Sequence, residues 1–429
     1  MKYNKYQEYK SLSFPFLDEI PSEWMIVPLY ALSNFRQGKL HEPYIHEDGK
    51  FICINSRFVS TEGKKLKYCS VNLSPVKKSD ILMVMSDLPN GRALAKALFV
   101  KGENNYALNQ RVCAITPTNI YPRFLYYQLN RNAYFLSFDD GSNQTNLSNY
   151  DFKKYPVLLP SKEEQQTIVN YLDSATAKID TLIEKQTKLI ALLKEKRQAV
   201  ISTAVTRGLD NTVAMKDSGV EWLGEIPEHW EVKKLKYIGQ AIIGLTYSPN
   251  NIIDENEGIL VLRSSNLQNG GLYYGDNVYV NSDIPDKLIT KDGDIVICSR
   301  NGSRKLIGKN AMIDKKSAGV SFGAFTSVFR SEINQYIFYI LNSSLFKFQS
   351  GRFMTTTINQ LTTGTLNEFQ IALAPINEQD EIVSYLKEKT SKIDSLISKT
   401  TKAIDLLKEK RTALISSAVT GKIDVREIA

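Results

Sequence analysis

The sequence predicts an α+β protein: two mixed α/β domains joined by two long helices that pair as an antiparallel coiled coil. The whole is expected to be pseudo-two-fold symmetric and nearly circular. Three observations predict it. First, a helical block occurs twice, as EEQQTIVNYLDSATAKIDTLIEKQTKLIALLKEKRQAVISTAVT from Glu163 to Thr206 and as NEQDEIVSYLKEKTSKIDSLISKTTKAIDLLKEKRTALISSAVT from Asn377 to Thr420. An offset of 214 aligns them without a gap, and 28 of the 43 positions from Glu164 to Thr206 are identical. Second, a shorter repeat precedes each block: FLDEIPSEW (Phe16 to Trp24) resembles WLGEIPEHW (Trp222 to Trp230). Third, the segments between these anchors differ almost completely. An internal repeat governs the reading of the whole fold. It sets the expected boundaries at 1–156, 157–208, 209–370 and 371–429.

Each helical block carries a seam of apolar residues on alternating steps of four and three, the period of a coiled coil. In the first copy the seam reads Ile168, Leu172, Ala175, Ile179, Leu182, Leu189, Leu193 and Val200. In the second it reads Ile382, Leu386, Ile393, Leu396, Ala403, Leu407 and Leu414. Both seams break at matched polar positions, Gln186 with Thr400 and Lys196 with Lys410. Neither block contains proline or glycine, so each is expected to run unbroken for about 44 residues, a rod of ~65 Å. A lone helix with a leucine seam is poorly stable in water, and the other copy is the natural partner. The first helix carries the chain from one variable domain to the other, and the second must run back to bury its seam. An antiparallel pair follows, with an approximate two-fold axis and termini that approach each other. The identical KEKR boxes (Lys194 to Arg197, Lys408 to Arg411) fit a solvated face, a partner surface or a phosphate contact.

The variable domains alternate short strand-like runs with turn signals. DILMVM (Asp80 to Met85) and DIVICS (Asp294 to Ser299) are matched apolar strands, each followed by a glycine-bearing polar loop, SDLPNGR and RNGSRK. RVCAI and TSVFR follow as strands, then YPRFLYYQLN and NQYIFYILN as short aromatic helices whose stripes suit a core. Two further loops, GSNQTNLS (Gly141 to Ser148) and TTTINQLT (Thr355 to Thr362), are rich in amides and hydroxyls. Asn and Gln pair bidentately with adenine, and Arg with guanine, on the major-groove edge. Lysine and arginine nearby supply phosphate contacts. The candidate DNA-binding residues are Arg57, Lys64, Lys65, Arg92, Asn143 and Gln144 in the first half. In the second they are Arg263, Asn266, Arg304, Lys305, Arg352, Asn359 and Gln360.

Composition agrees with a DNA partner. The chain of 429 residues carries a formal charge of +8. That excess favours a polyanion, although it speaks to association and not to fold. Hydrophobic residues make up 42%, enough for real cores. Cys53, Cys69, Cys113 and Cys298 have no paired spacing, which points to a reducing, cytoplasmic compartment. No run of eighteen apolar residues exists, so no membrane span is expected. The N-terminus lacks the apolar stretch of a signal peptide.

Catalytic and metal signatures are missing from the sequence. GSRKLIGKN (Gly302 to Asn310) has the wrong spacing for a phosphate-binding loop and no hydroxyl after its lysine. No N-P-P-Y or D-P-P-Y tetrapeptide, of the kind that grips a target base in amino-methyltransferases, occurs. His41 and His46 belong to no metal-ligand pattern, and His229 sits inside the EIPEHW anchor as a structural residue. No catalytic or metal residue is assigned, and catalysis by this chain alone is not expected.

The chain resembles the specificity subunit of type I restriction–modification systems over essentially its whole length. SGVEWLGEIPEHWEV, NGSRKLIGKNAMI, SFGAF, ALNQRVCAI and the repeated E-Q-x-x-I-V-x-Y-L…K-I-D…L-L-K-E-K-R…A-V-T carry the likeness. The resemblance implies two target-recognition domains, each reading half of a split, asymmetric double-stranded DNA site. It implies helices that set the gap between half-sites and dock two methyltransferase subunits, with two restriction subunits completing the assembly. S-adenosylmethionine, ATP and magnesium are then expected on those partners and none on this chain. Two rival readings stay open at this point: a protein–protein scaffold without DNA, and a stand-alone nuclease or methyltransferase.

Overall fold

The structure is a computed structural model that describes residues 4–14, 17–88, 91, 93–103, 105–141, 143–268, 270–353 and 360–427, with residues 351–353 described by their backbone alone. It falls into two compact units. Unit one comprises Met1–Lys185 with Ala403–Ala429, and unit two comprises Gln186–Lys402. Each unit therefore takes half of each long helix, Lys162–Arg207 and Ile376–Val419.

Both units build one frame from different residues. In unit one a four-stranded antiparallel sheet has the order Ser33–Gln37, Val112–Pro117, Ile81–Val84, Ala97–Phe99. Unit two repeats it as Gln240–Ile243, Thr326–Arg330, Ile295–Cys298, Asn310–Met312. The register repeats too. Val84 lies opposite Val112 and Ile81 opposite Ile115, as Cys298 lies opposite Thr326 and Ile295 opposite Phe329. The central strands are apolar at every position because both faces are covered, so they read as continuous runs rather than alternating ones. A second sheet in each unit contains a parallel pair: Phe51–Ile54 with Tyr106–Leu108, and Ile259–Leu262 with Ser321–Phe322.

One buried carboxylate stands at the same place in each frame. Asp80 accepts from the Arg36 guanidinium (2.8 Å) and the Thr116 hydroxyl (2.6 Å). Asp294 accepts from Arg330 (2.6 and 2.8 Å), and Arg330 occupies the strand position matching Thr116. The charge is matched in both units, by an arginine from a different strand in each.

The two long helices run antiparallel within each unit. In unit one Asp180 meets Arg411 (2.8 Å), while sixteen residues earlier Glu164 lies beside Arg426 in a shared recess. In unit two Arg197 meets Asp394 (2.9 Å), and further along Gly208 packs under Trp230, whose indole donates to Glu378 (3.0 Å). Trp24 repeats that anchor by donating to Glu164 (3.2 Å). Ile168, Leu172, Leu414 and Ala418 join the core of unit one, and Ile201, Ala204, Ile382 and Leu386 that of unit two.

The seam differs from the sequence expectation in one respect. Beyond Ile179 it steps by four to Ile183 and then through Gln186 and Ile190, leaving Leu182 and Leu189 about 46% and 43% exposed. The second helix does the same through Ile397, Thr400 and Ile404, with Leu396 51% exposed. A 3.5-residue repeat admits a step of three or four at each point, and an apolar residue at both choices, as at Leu182 and Ile183, hid the slip. Gln186 and Thr400 are polar seam positions as expected. The other polar position falls on Arg197 and Arg411, one residue beyond Lys196 and Lys410, and each arginine pairs with an aspartate of the opposing helix.

In unit one the terminal segments meet. Asp424 N–H donates to Asn4 O (2.9 Å), and the Tyr9 hydroxyl donates to Gly421 O (3.0 Å). The hairpin Tyr9–Phe14 with Leu17–Pro21 matches Met215–Asp217 with Glu225–Pro227 in unit two, with Tyr9 opposite Pro21 as Met215 is opposite Pro227.

Candidate nucleic-acid interface

In each unit the loops converge where the parallel pair ends. Glycine makes that convergence possible. Gly38 N–H donates to Val112 O (3.0 Å) and Lys39 N–H to Leu108 O (2.9 Å). Gly244 N–H donates to Thr326 O (3.2 Å) and Leu245 N–H to Phe322 O (2.7 Å). A Cβ on Gly38 would stand 2.1 Å from Asn109 O, and one on Gly244 would stand 2.3 Å from Gly323 O. Only glycine permits such backbone approach. The result in unit one is a cleft of about 420 Å³ lined by Glu42, Asn55, Arg57, Gln110 and Arg111 among others. Its counterpart in unit two, about 500 Å³, is lined by Tyr247, Arg263, Ser264, Asp276 and Phe325 among others.

The unit-one cleft is polar. Asn109 is buried, donating to Glu42 (2.9 Å) while its Oδ1 accepts from Gln110 N–H (2.6 Å), and this fixes the turn that presents Gln110 and Arg111. Arg57, on the helical turn Ser56–Ser60, is exposed beside that turn. Arg111 O accepts from Met85 N–H (2.9 Å), which leads to the neighbouring loop, where Gln144 donates to Ser86 Oγ (2.8 Å). Arg57 and Gln144 therefore belong to one connected loop cluster. Asn143 is exposed on the same loop. Lys64 and Lys65 are exposed on the loop after the Ser56–Ser60 turn. Arg92 lies outside the described residues.

The unit-two cluster is held by the same main-chain links. Phe325 O accepts from Ser299 and Arg300 N–H (2.9 and 3.0 Å), and Leu361 N–H donates to Ser299 O (2.7 Å). Asn301 donates to Ser264 Oγ (3.2 Å), joining two loops. Arg263 lines the cleft and pairs with Asp276 (2.8 Å). Arg304 and Lys305 are exposed on the loop leaving the same strand end, and Gln360 pairs its backbone with Arg300. Asn266 has a different role from the one expected. It is fully buried, its Oδ1 accepts from Arg263 N–H (2.8 Å), and its Nδ2 donates to Tyr273 O (2.9 Å). Its amide is consumed in shaping the turn that carries Arg263, because a buried amide without partners would cost stability. Asn359 and the side chain of Arg352 lie outside the described residues.

Gln110, Arg111, Tyr247 and Phe325 line these clefts, with Arg300 against the Phe325 ring, and none of them was among the candidates drawn from the sequence. The first two and Phe325 lie in short turns between strand-like runs, NQR between YAL and VCAI and GAF between SF and TSVFR. The signal was present as turn position, but the parallel pairing that aims those turns is a long-range contact. Burial pushes the Cys53 and Cys298 thiols up to about 11, so neither is a ready nucleophile at neutral pH. All four cysteines are free and buried. No helix among the described residues is long and apolar enough to cross a membrane.

Comparison with known proteins follows the same division. The family model described as the type I restriction modification DNA specificity domain matches twice, at residues 21–192 and 227–406. The MjaVIII specificity subunit of Methanocaldococcus jannaschii, a type I restriction enzyme component, is 24% identical, covering 98% of this chain and 98% of its own. The EcoKI specificity subunit of Escherichia coli K12 is 28% identical over 47% of this chain and 44% of its own. A solved chain from work on complex assembly and conformational transition of the type I R-M system shares the fold, with a TM-score of 0.66 at 16% identity, covering 94% of this chain and 99% of that one. Two family-model matches on two copies of one frame lead to a single conclusion: the chain belongs to the type I restriction–modification DNA specificity family.

Proposed function

We propose that this protein reads a bipartite, asymmetric DNA site, one half through each unit, as the specificity component of a type I restriction–modification assembly. The observation that carries the reading is the pairing of one repeated frame with two dissimilar loop clusters at its matched strand ends. Arg57, Gln110 and Arg111 line the first end and Arg263 the second, with Lys64, Lys65 and Lys305 exposed on neighbouring loops. Side chains of this kind supply base-edge and phosphate contacts.

The paired long helices set the distance between half-sites and dock the methyltransferase and restriction subunits. Their exposed leucines support docking. Leu182 and Leu192 on the first helix recur as Leu396 and Leu406 on the second, each between 46% and 64% exposed. A repeated apolar position left in water on both helices suits a partner that meets each copy alike. In this reading the chain is cytoplasmic and performs no chemistry itself. S-adenosylmethionine, ATP and magnesium belong to the partners.

Methylation-sensitive sequencing of the native genome, with the gene present and deleted, tests the reading. A split methylated word that vanishes on deletion supports it, and an unchanged methylome overturns it. Replacing residues 3–156 with the same segment of a relative is expected to change one half-word only. Inserting four residues near Ala204–Arg207 is expected to lengthen the gap and leave both half-words intact.

A further inference from the structure

We propose that Phe325 reads the 5-methyl group of a thymine within the half-site recognised by unit two. The inference rests on the DNA-reading assignment above and specifies its chemistry at one residue. Phe325 sits at the tip of the turn between Ser321–Phe322 and Thr326–Arg330 and leaves 59% of its surface in water. Its main chain is nevertheless held firmly, because its carbonyl accepts two N–H donors, from Ser299 and Arg300. The Arg300 guanidinium stands 5.2 Å from the ring centroid and sets one positive charge against its face. Arg263 lines the same cleft.

This is an apolar probe mounted on a doubly hydrogen-bonded turn beside one guanidinium. Arginine brings a phosphate-bearing ligand to it. The ring itself neither donates to nor accepts from a base edge in the plane of the bases. The apolar feature on the major-groove edge is the thymine methyl. Unit one carries Arg111 at the matching turn position, its carbonyl accepting from Met85 N–H as Phe325 accepts from Ser299. The same mount thus offers a hydrogen-bonding tip in one unit and a methyl-seeking tip in the other.

The test uses the full chain assembled with its methyltransferase partner and duplexes carrying the native site. Each thymine is replaced in turn by deoxyuridine, which removes only the methyl. One replacement in the unit-two half-site is expected to weaken binding about fourfold, the worth of one buried methyl-sized group. Phe325→Ala should bind both duplexes equally, whereas Phe325→Leu should keep part of the preference. Thermal midpoints should move little, because the ring is mostly exposed and loses one contact, with Arg300; if the alanine variant fails to fold, the wild-type scan and the leucine variant decide. Specific binding with no uracil-sensitive position in that half-site overturns the proposal, as does sensitivity that survives in Phe325→Ala. Absence of any preference over random DNA overturns the DNA-reading assignment itself, and this inference with it.

Discussion

Unit one and unit two share strand order, register and tryptophan anchors, yet the clefts at their matched strand ends differ in chemistry. The first presents Arg57, Gln110 and Arg111, and the second Tyr247, Arg263 and Phe325. The shared part is built from main-chain hydrogen bonds and buried apolar contacts, which tolerate many side chains of the right size. The differing part lies at turn tips, where the carbonyl of residue 111 or 325 makes the structural bond and the side chain is left over. The fold thus rests on the main-chain atoms of these residues and leaves their side chains free to differ.

The comparison breaks first if the anchors are not equivalent. Trp24 and Trp230 are each almost wholly buried, and each donates to the glutamate that opens a long helix. Trp24→Ala and Trp230→Ala should each cost ~3–5 kcal/mol in denaturant unfolding. A large loss in one alone would show that only one unit depends on its anchor. Next come the glycines. Gly38→Ala and Gly244→Ala force a methyl into a backbone carbonyl and should each cost about 1–3 kcal/mol, with weakened binding confined to the half-site of the altered unit.

Smaller effects sharpen the same contrast. Arg197→Met and Arg411→Met remove symmetric ion pairs whose aspartates are about half exposed. Each should cost less than ~1 kcal/mol, diminishing with salt. The smallest concerns a difference. Lys234 and Lys236 both bond Glu368 and hold its carboxyl down to about 2, whereas unit one has Pro28 and Tyr30 at the matching positions. Because the folded value is depressed, the contribution is present above the ordinary carboxylate range and lost as pH falls through about 2. A carboxyl NMR titration should find Glu368 protonating there, and Lys234→Met with Lys236→Met should return it to the ordinary range.

Much of the frame was legible in the sequence because it is written in periodicity. The expected helix from Glu163 to Thr206 appears as Lys162–Arg207, and DILMVM and DIVICS appear as Ile81–Val84 and Ile295–Cys298. Illegible was whatever required a distant partner. The seam choice between Leu182 and Ile183 depends on the opposing helix, and the parallel pairing of Phe51–Ile54 with Tyr106–Leu108 joins strands some fifty residues apart. Residue type alone also failed to separate Asn266, sealed inside a turn, from Gln110 at a cleft. An amide looks the same in sequence whether its partner is its own backbone or a ligand.

Gly38 and Gly244 carry a consequence for how such a protein diversifies. Each glycine lies against the main chain of a turn, at Asn109 or Gly323, and admits no side chain, so drift there is penalised at once through the backbone. The tip of that turn, two residues beyond Asn109 or Gly323, is free of that penalty, and a single codon change at Arg111 or Phe325 alters the side chain without altering the carbonyl that holds the turn. The frame around each turn thus stays the same while the side chain at its tip is free to differ.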